Sequence, residues 1–233
     1  MSYPGGKSGA GTFQRIISQI PPHHLYVEPF VGGGAILRHK RPAAMSFGYD
    51  LDPGAIARLQ AEIPLDSELF LTTSLFIEDG IAMLARQYDC DTFIYADPPY
   101  LQSSVMSRLR YQHILSVDDH RQLLAALKQQ RCPVMISGYW SRMYAEELAG
   151  WRTIQFRSMT RGGFECEEWL WMNYPEPTRL HDYRYVGANY REREKFRRQQ
   201  KRWSTRLGKM SAVQRLALMS VLEEMNKKEV KSC

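Results

Sequence analysis

The densest group of chemically useful residues is Asp97-Pro98-Pro99-Tyr100, directly after the apolar run Thr92–Ala96. Two successive prolines stiffen a turn and remove two backbone donors. The Asp97 carboxylate and the neighbouring carbonyls are then left as acceptors facing a cleft, with Tyr100 a flat face beside them. Acceptors next to an aromatic plate suit an exocyclic amino group on a stacked base. Asp97, Pro98 and Tyr100 are therefore the candidate catalytic residues. A lone motif of this kind would more often be a rigid loop with a solvated Asp; its place after a fourth strand tips the balance.

A second group is Glu28-Pro-Phe30-Val-Gly32-Gly-Gly34, where a strand meets a helix. Glycines there let a backbone approach a ligand closely. The dinucleotide fingerprint G-x-G-x-x-G fails, because Leu37 stands at the third glycine. Asp50, closing the next strand, suits a ribose hydroxyl pair, against the plainer reading of a helix-start residue before Pro53. A third group, Tyr3-Pro-Gly-Gly-Lys7-Ser8, is no triphosphate loop: that motif needs Gly where Met1 stands, and no strand precedes it.

These groups need a scaffold, and the hydrophobic pattern supplies one. Strands are expected at Leu25–Pro29, Met45–Tyr49, Leu69–Thr73, Thr92–Ala96, Pro133–Ser137, Trp151–Arg157 and Glu168–Asn173. Helices are expected at Thr12–Gln19, Gly34–His39, Pro53–Glu62, Gly80–Gln87, Asp118–Gln130 and Tyr144–Ala149. Strands alternating with helices imply an α/β chain with a mostly parallel, seven-stranded sheet covered on both faces. Beyond Pro175-Glu-Pro177 the pattern changes to two helices, Tyr190–Trp203 and Ser211–Met225, the second with an apolar stripe. The expected organisation is a domain over 1–178 and a helical extension over 179–233.

Charge divides at the same place. Residues 179–233 hold 15 Lys plus Arg against 6 Asp plus Glu, whereas 1–178 hold 16 against 19. A basic tail on a near-neutral body is a footprint for a polyanion. Arg197, Arg198, Lys201 and Arg202 have no evident acidic partners and interleave with Phe196 and Trp203, which makes them candidate nucleic-acid contacts. The competing reading is a solvated helix held by Glu–Arg pairs. No apolar run approaches a membrane span, and the N-terminal residues offer no signal-peptide core. Cys90, Cys132, Cys166 and Cys233 lie too far apart for a zinc knuckle or a disulfide framework. The expectations are a cytoplasmic protein with no metal and no membrane partner.

Together, Tyr-Pro-Gly-Gly-Lys7, Val-Glu28-Pro-Phe-Val-Gly-Gly-Gly34, Tyr-Asp50-Leu-Asp and Tyr-Ala-Asp97-Pro-Pro-Tyr100, in that order, resemble the D12 class of DNA adenine-N6 methyltransferases, the Dam-like enzymes, and in particular their compact phage-type members. The resemblance covers about residues 1–175. It implies a Rossmann-like S-adenosylmethionine-dependent methyltransferase fold, with residues 1–178 as the catalytic domain. It also implies methyl transfer to the N6 of an adenine flipped out of double-stranded DNA. Tyr3, Lys7, Glu28, Phe30, Gly32, Gly34, Asp50 and Asp97 would then contact S-adenosylmethionine, and Tyr100 would stack the adenine. Asp52 stands where the family commonly has Asn. The family's separate recognition domain has no room between residues 35 and 96, so Arg108, Arg110, Arg161 and the basic tail become the candidate DNA readers. The resemblance leaves open a cognate restriction nuclease as partner, and a monomer or weak homodimer as assembly. Cytosine-N4 chemistry, RNA or protein-glutamine methylation, and a DNA-binding relative without turnover remain as alternatives; Ser or Asn is commoner than Asp97 in the first two.

Overall fold

β1 (Leu25–Glu28), β4 (Thr92–Ala96) and β5 (Val134–Gly138) are buried at every position. That pattern belongs to strands covered on both faces. A computed structural model describes residues 6–9, 11–63, 69–73, 91–101, 115–159 and 165–230. With β2 (Met45–Asp50), β3 (Leu69–Thr73), β6 (Arg152–Met159) and β7 (Glu165–Met172), the strands form one sheet in the order β3-β2-β1-β4-β5-β7-β6. The pairings from β3 to β5 are parallel.

β7 runs antiparallel to both β5 and β6, so the sheet is mixed, which corrects the mostly parallel expectation at this edge. A short connection joins β6 to β7, and only an antiparallel pair can be closed that way. The same pairing explains why β7 begins at Glu165 rather than Glu168. The register Met159↔Glu165 to Arg152↔Met172 carries polar residues that no hydrophobic pattern would mark as strand.

Side-chain alternation splits the core into two layers. Val27, Ile94 and Ile136 face α4 (Val117–Lys128) and α5 (Arg142–Glu147), through Leu123, Leu124, Leu127 and Tyr144. Tyr26, Phe93, Tyr95 and Met135 face α1 (Thr12–Ile17) and α2 (Ala35–His39), through Ile16, Ile17 and Ile36. α3 (Pro53–Glu62) starts at Asp52, whose Oδ1 accepts from the Gly54 amide at 2.8 Å. The cap is thus Asp52, not Asp50. Ser116 and Asp119 close a capping box on α4. The helix expected over Gly80–Gln87 lies outside the described residues.

The first unit extends through Tyr185. Residues 181–185 are tied onto α1 and α2: the His181 amide donates to the Ile20 carbonyl at 2.9 Å, Arg184 donates to the His39 carbonyl at 2.7 Å, and Tyr185 meets the Phe13 ring edge-on.

The second unit, Val186–Cys233, holds α6 (Tyr190–Gly208) and α7 (Ala212–Val230). Asn189 caps α6 by accepting from the Glu192 amide at 3.0 Å, while the Glu192 carboxylate accepts from the Ala188 amide at 2.9 Å. Gly187 sits at φ +126°, where a Cβ would come 2.8 Å from the Arg193 amide nitrogen, so only glycine fits before this helix. Two expectations are corrected here. Arg197 and Arg198 both reach Glu194, at 2.7 and 3.9 Å, because the i,i+3 and i,i+4 spacings bring them together. The apolar residues of α7 form no stripe. Val213, Leu216, Leu218, Met219, Val221, Leu222 and Met225 are distributed around the helix, and all are exposed. Among the described residues no helix is long and apolar enough to cross a membrane.

Candidate active site

The carboxyl ends of β1, β2, β4 and β5 meet at one edge of the sheet, where open α/β folds bind their ligands. A cavity there is lined by Lys7, Glu28, Phe30, Gly32, Gly34, Asp50, Asp97, Pro98 and Tyr100. All nine were expected from the sequence to belong to one site. Tyr3, Arg108, Arg110 and Arg161 lie outside the described residues. Arg197, Arg198, Lys201 and Arg202 are on α6 in the second unit, exposed along the helix.

At one end the glycine turn is built around Asp50. Its Oδ2 accepts from the Gly32 amide at 2.7 Å and its Oδ1 from the Asp52 amide at 2.8 Å. Gly32 and Gly34 have φ of +47° and +63°. At Gly34 a Cβ would fall 2.5 Å from the Leu59 Cδ2, so the close approach of turn to α3 demands glycine as much as the dihedral does.

At the other end, the β4–β5 register Ala96↔Ile136 brings Asp97 beside Ser137. Asp97 Oδ1 accepts from the Lys7 ammonium at 2.7 Å and from the Ser137 hydroxyl at 2.8 Å. Tyr95 lies 2.8 Å from the Ser137 oxygen; with the Ser137 proton committed to Asp97, Tyr95 is the donor. Asp97 Oδ2 has no partner among the described residues. Lys7, 4% exposed, also donates to the Tyr100 hydroxyl. That hydroxyl donates in turn to Glu168 Oε1 at 2.8 Å, and the Lys7 nitrogen stands 3.6 Å from the same oxygen. One ammonium therefore serves two carboxylates. Tyr100 is buried, and its ring leans on Tyr139 with centroids 4.3 Å apart. A flat open plate was expected at Tyr100; the structure shows a ring largely covered and tied by its hydroxyl.

Glu28, buried in the cavity wall, accepts from the Tyr26 hydroxyl at 2.8 Å. Burial, reinforced by Asp97, pushes its carboxyl up to about 8 against the pull of that hydrogen bond. Lys40, also buried, lies over the Tyr26 ring at 4.1 Å. Burial brings it down to about 8, opposed by Glu28 and Asp182.

Ser137, Tyr139 and Glu168 were not singled out as site residues in the sequence. Ser137-Gly-Tyr139 closes a strand at the same sheet edge as Asp97, which is the signal that could have found it. Glu168 carried a weaker one: a carboxylate opening the apolar run Trp169–Met172.

No family model matches the chain, and no curated protein matches it. Among solved structures it is similar to a SAM-dependent methyltransferase from Agrobacterium tumefaciens, with 14% identity over 70% of this chain and 60% of that one, TM-score 0.45. It is similar to magnesium protoporphyrin IX methyltransferase from Synechocystis PCC 6803 with bound SAM, with 10% identity over 66% and 71%, TM-score 0.43. It is also similar to TrmN from Thermus thermophilus, with 14% identity over 68% and 46%, TM-score 0.41. These likenesses are distant, and the chemistry below rests on the residues of the cavity.

Proposed function

We propose that the protein transfers a methyl group from S-adenosylmethionine to the N6 amino group of an adenine in double-stranded DNA. The observation that carries this reading is the asymmetry of Asp97: Oδ1 is held by Lys7 and Ser137, while Oδ2 has no partner among the described residues and the side chain is 17% exposed. A fixed carboxylate with an open oxygen is set up to accept a hydrogen bond from an amine.

The cavity suits the proposed cofactor. Among the described residues Glu28, Asp50 and Asp97 line it against one ammonium, that of Lys7, a balance that repels polyphosphates and welcomes a cation. Asp50 stands at the end suited to ribose hydroxyls, and Val31, Ile36, Leu51 and Leu115 offer apolar wall to a purine. Bound there, S-adenosylmethionine supplies a methyl group on a positively charged sulfur. A cation beside Glu28 would also favour its ionised form, lowering the value that burial has raised.

The remaining work falls to the chain's own groups. Adenine N6 is a weak nucleophile because its lone pair is delocalised into the ring. A hydrogen bond to Asp97 Oδ2, with a second to the Pro98 carbonyl, favours localising that pair on nitrogen. Fixed alignment contributes roughly 7–11 kcal/mol towards the barrier. Asp97 accepts the amine proton after transfer. Duplex DNA hides the amino group, so the base must leave the stack at a cost of a few kcal/mol. Stacking on Tyr100 offsets on the order of 1–3 kcal/mol, once Tyr139 turns aside or the base meets the part of the ring bordering the cavity. The cations of α6 supply sequence-independent attraction to phosphate.

The test is methylation of defined duplexes with labelled cofactor, followed by nucleoside analysis. N6-methyladenine is expected, abolished in Asp97→Ala and partly kept in Tyr100→Phe. N4-methylcytosine as product, or full activity in Asp97→Ala, would refute the assignment.

A further inference from the structure

Glu168 is a buried carboxylate beside the site for which methyl transfer as derived has no use. It enters β7 one step beyond the pair Gly138↔Trp169, which sets it level with Tyr139 at the catalytic edge of the sheet. It is 4% exposed. Oε1 accepts from Tyr100 and lies 3.6 Å from the Lys7 nitrogen, while Oε2 is buried without a hydrogen-bond partner among the described residues. Leaving such an oxygen bare forfeits its hydration with nothing in return. A hydrophobic residue would avoid that cost, and a purely structural tie to Tyr100 needs only one neutral acceptor.

We propose that Glu168 is the positioning residue of the transfer site: through Lys7 and the Tyr100 hydroxyl it holds Asp97 so that Oδ2, and not Oδ1, meets the acceptor amine. This rests on the methyltransferase reading and adds to it a residue acting at one remove. Lys7 sits between the two carboxylates and has to divide its charge. With Glu168 ionised, the ammonium is drawn towards Tyr100 and Glu168 and fixed in place while still bonded to Oδ1. With Glu168 neutral, that pull is lost. The groups facing Glu168 are Lys7 from the N-terminal turn, Asp97 and Tyr100 from the loop after β4, and Tyr95 on β4. Burial and then Asp97 push its carboxyl up, while Lys7 and Tyr100 pull it down, and the net direction is upward. The ionised, positioning form is therefore lost on acidification at a higher pH than for an ordinary glutamate.

Two experiments with the full chain test this. The first follows transfer against pH in the wild-type protein and in Glu168→Gln, which keeps an acceptor for Tyr100 but carries no charge. A loss in kcat on the order of 100-fold is expected, the scale of a small misplacement of reacting groups. KM values for DNA and cofactor should stay within about threefold, and the wild-type decline towards acid should flatten in the variant. Full kcat with the acid decline retained in Glu168→Gln would overturn the proposal. The second needs no turnover: carbon NMR of side-chain carboxyls in the wild-type protein, with Glu168→Gln used to assign the signal. The Glu168 signal should titrate above the usual glutamate range and move higher in Tyr100→Phe. An ordinary midpoint, insensitive to Tyr100, would equally overturn it. Failure of the wild-type protein to methylate DNA at all would instead refute the methyltransferase reading, and the NMR titration would still decide whether Glu168 is coupled to Tyr100.

Discussion

Lys7 and Arg197 each stand 2.7 Å from a carboxylate, yet their surroundings separate them. Lys7 is 4% exposed, shares Asp97 with Ser137 and serves a second carboxylate; Arg197 is 73% exposed and shares Glu194 with Arg198. In the first case the ammonium is almost wholly shielded from water and its carboxylate largely so, and removing one leaves charge with little to answer it. In the second, water and salt replace whatever is removed. Equal distances thus describe unequal interactions. The expensive one lies where the proposed transfer needs a fixed geometry, and the cheap one on an exposed basic helix.

The largest effect that would test this contrast is Lys7→Met. It strands Asp97 beside Glu168 and should cost about 3–5 kcal/mol of stability in a urea titration; a loss below about 1 kcal/mol would mean that the buried pair behaves like a surface one. Next comes a pH effect from the same kind of burial. Glu28, raised to about 8, binds its proton more tightly folded than unfolded, so between its ordinary value and about 8 its contribution to stability falls as pH rises. His23, brought down to about 2 by burial, works oppositely below its ordinary value of 6.5. Between pH 6.5 and 8 the Glu28 slope lies above the His23 range, amounting to about 2 kcal/mol. Melting curves should decline over that window and flatten in Glu28→Gln.

Asp50→Ala sharpens the picture at the glycine turn. It removes the acceptors of the Gly32 and Asp52 amides, and cofactor affinity should fall by about 1–3 kcal/mol in calorimetry. The smallest expected effect on stability is on α6. Replacing Arg197, Arg198, Lys201 and Arg202 with Ala should leave stability within about 0.5 kcal/mol. DNA binding, followed by anisotropy across a salt series, should weaken with a log–log slope flatter by about 0.9 for each phosphate that is no longer neutralised. An unchanged slope would remove α6 from the DNA interface.

How much of this was legible beforehand depends on the range of the interaction that decides it. Asp97, the glycine turn and Asp50 were readable because they close strands whose apolar runs are local. Pro53 announces α3 for the same reason, whereas its cap, Asp52, was not singled out. Glu168 was not readable as a site residue, since its partner Tyr100 is 68 positions away and only the pairing of β5 with the reversed β7 brings them together. The direction of β7 was missed likewise, because hydrophobic alternation carries no sign of strand direction. The ion pairs of Arg197 and Arg198 were within reach of helical spacing. The spread of apolar residues around α7 shows the limit of reading a stripe from a few favourable positions.

The hairpin of β6 and β7 also bears on the order in which the molecule is made. Its pairing is local and closed by a short connection, so it can form quickly. The β1–β4 pairing joins Leu25 to Thr92, a loop whose closure entropy must be met before the pairing repays it. Lys7 is synthesised early but finds Asp97 90 residues later, and Glu168 later still. The polar network therefore cannot exist in any partly folded chain that lacks either element. A folding intermediate with the hairpin formed and the central sheet open would carry Glu168 in water, with no burial to offset. Desolvation of that carboxylate then accompanies the docking of the hairpin against β5.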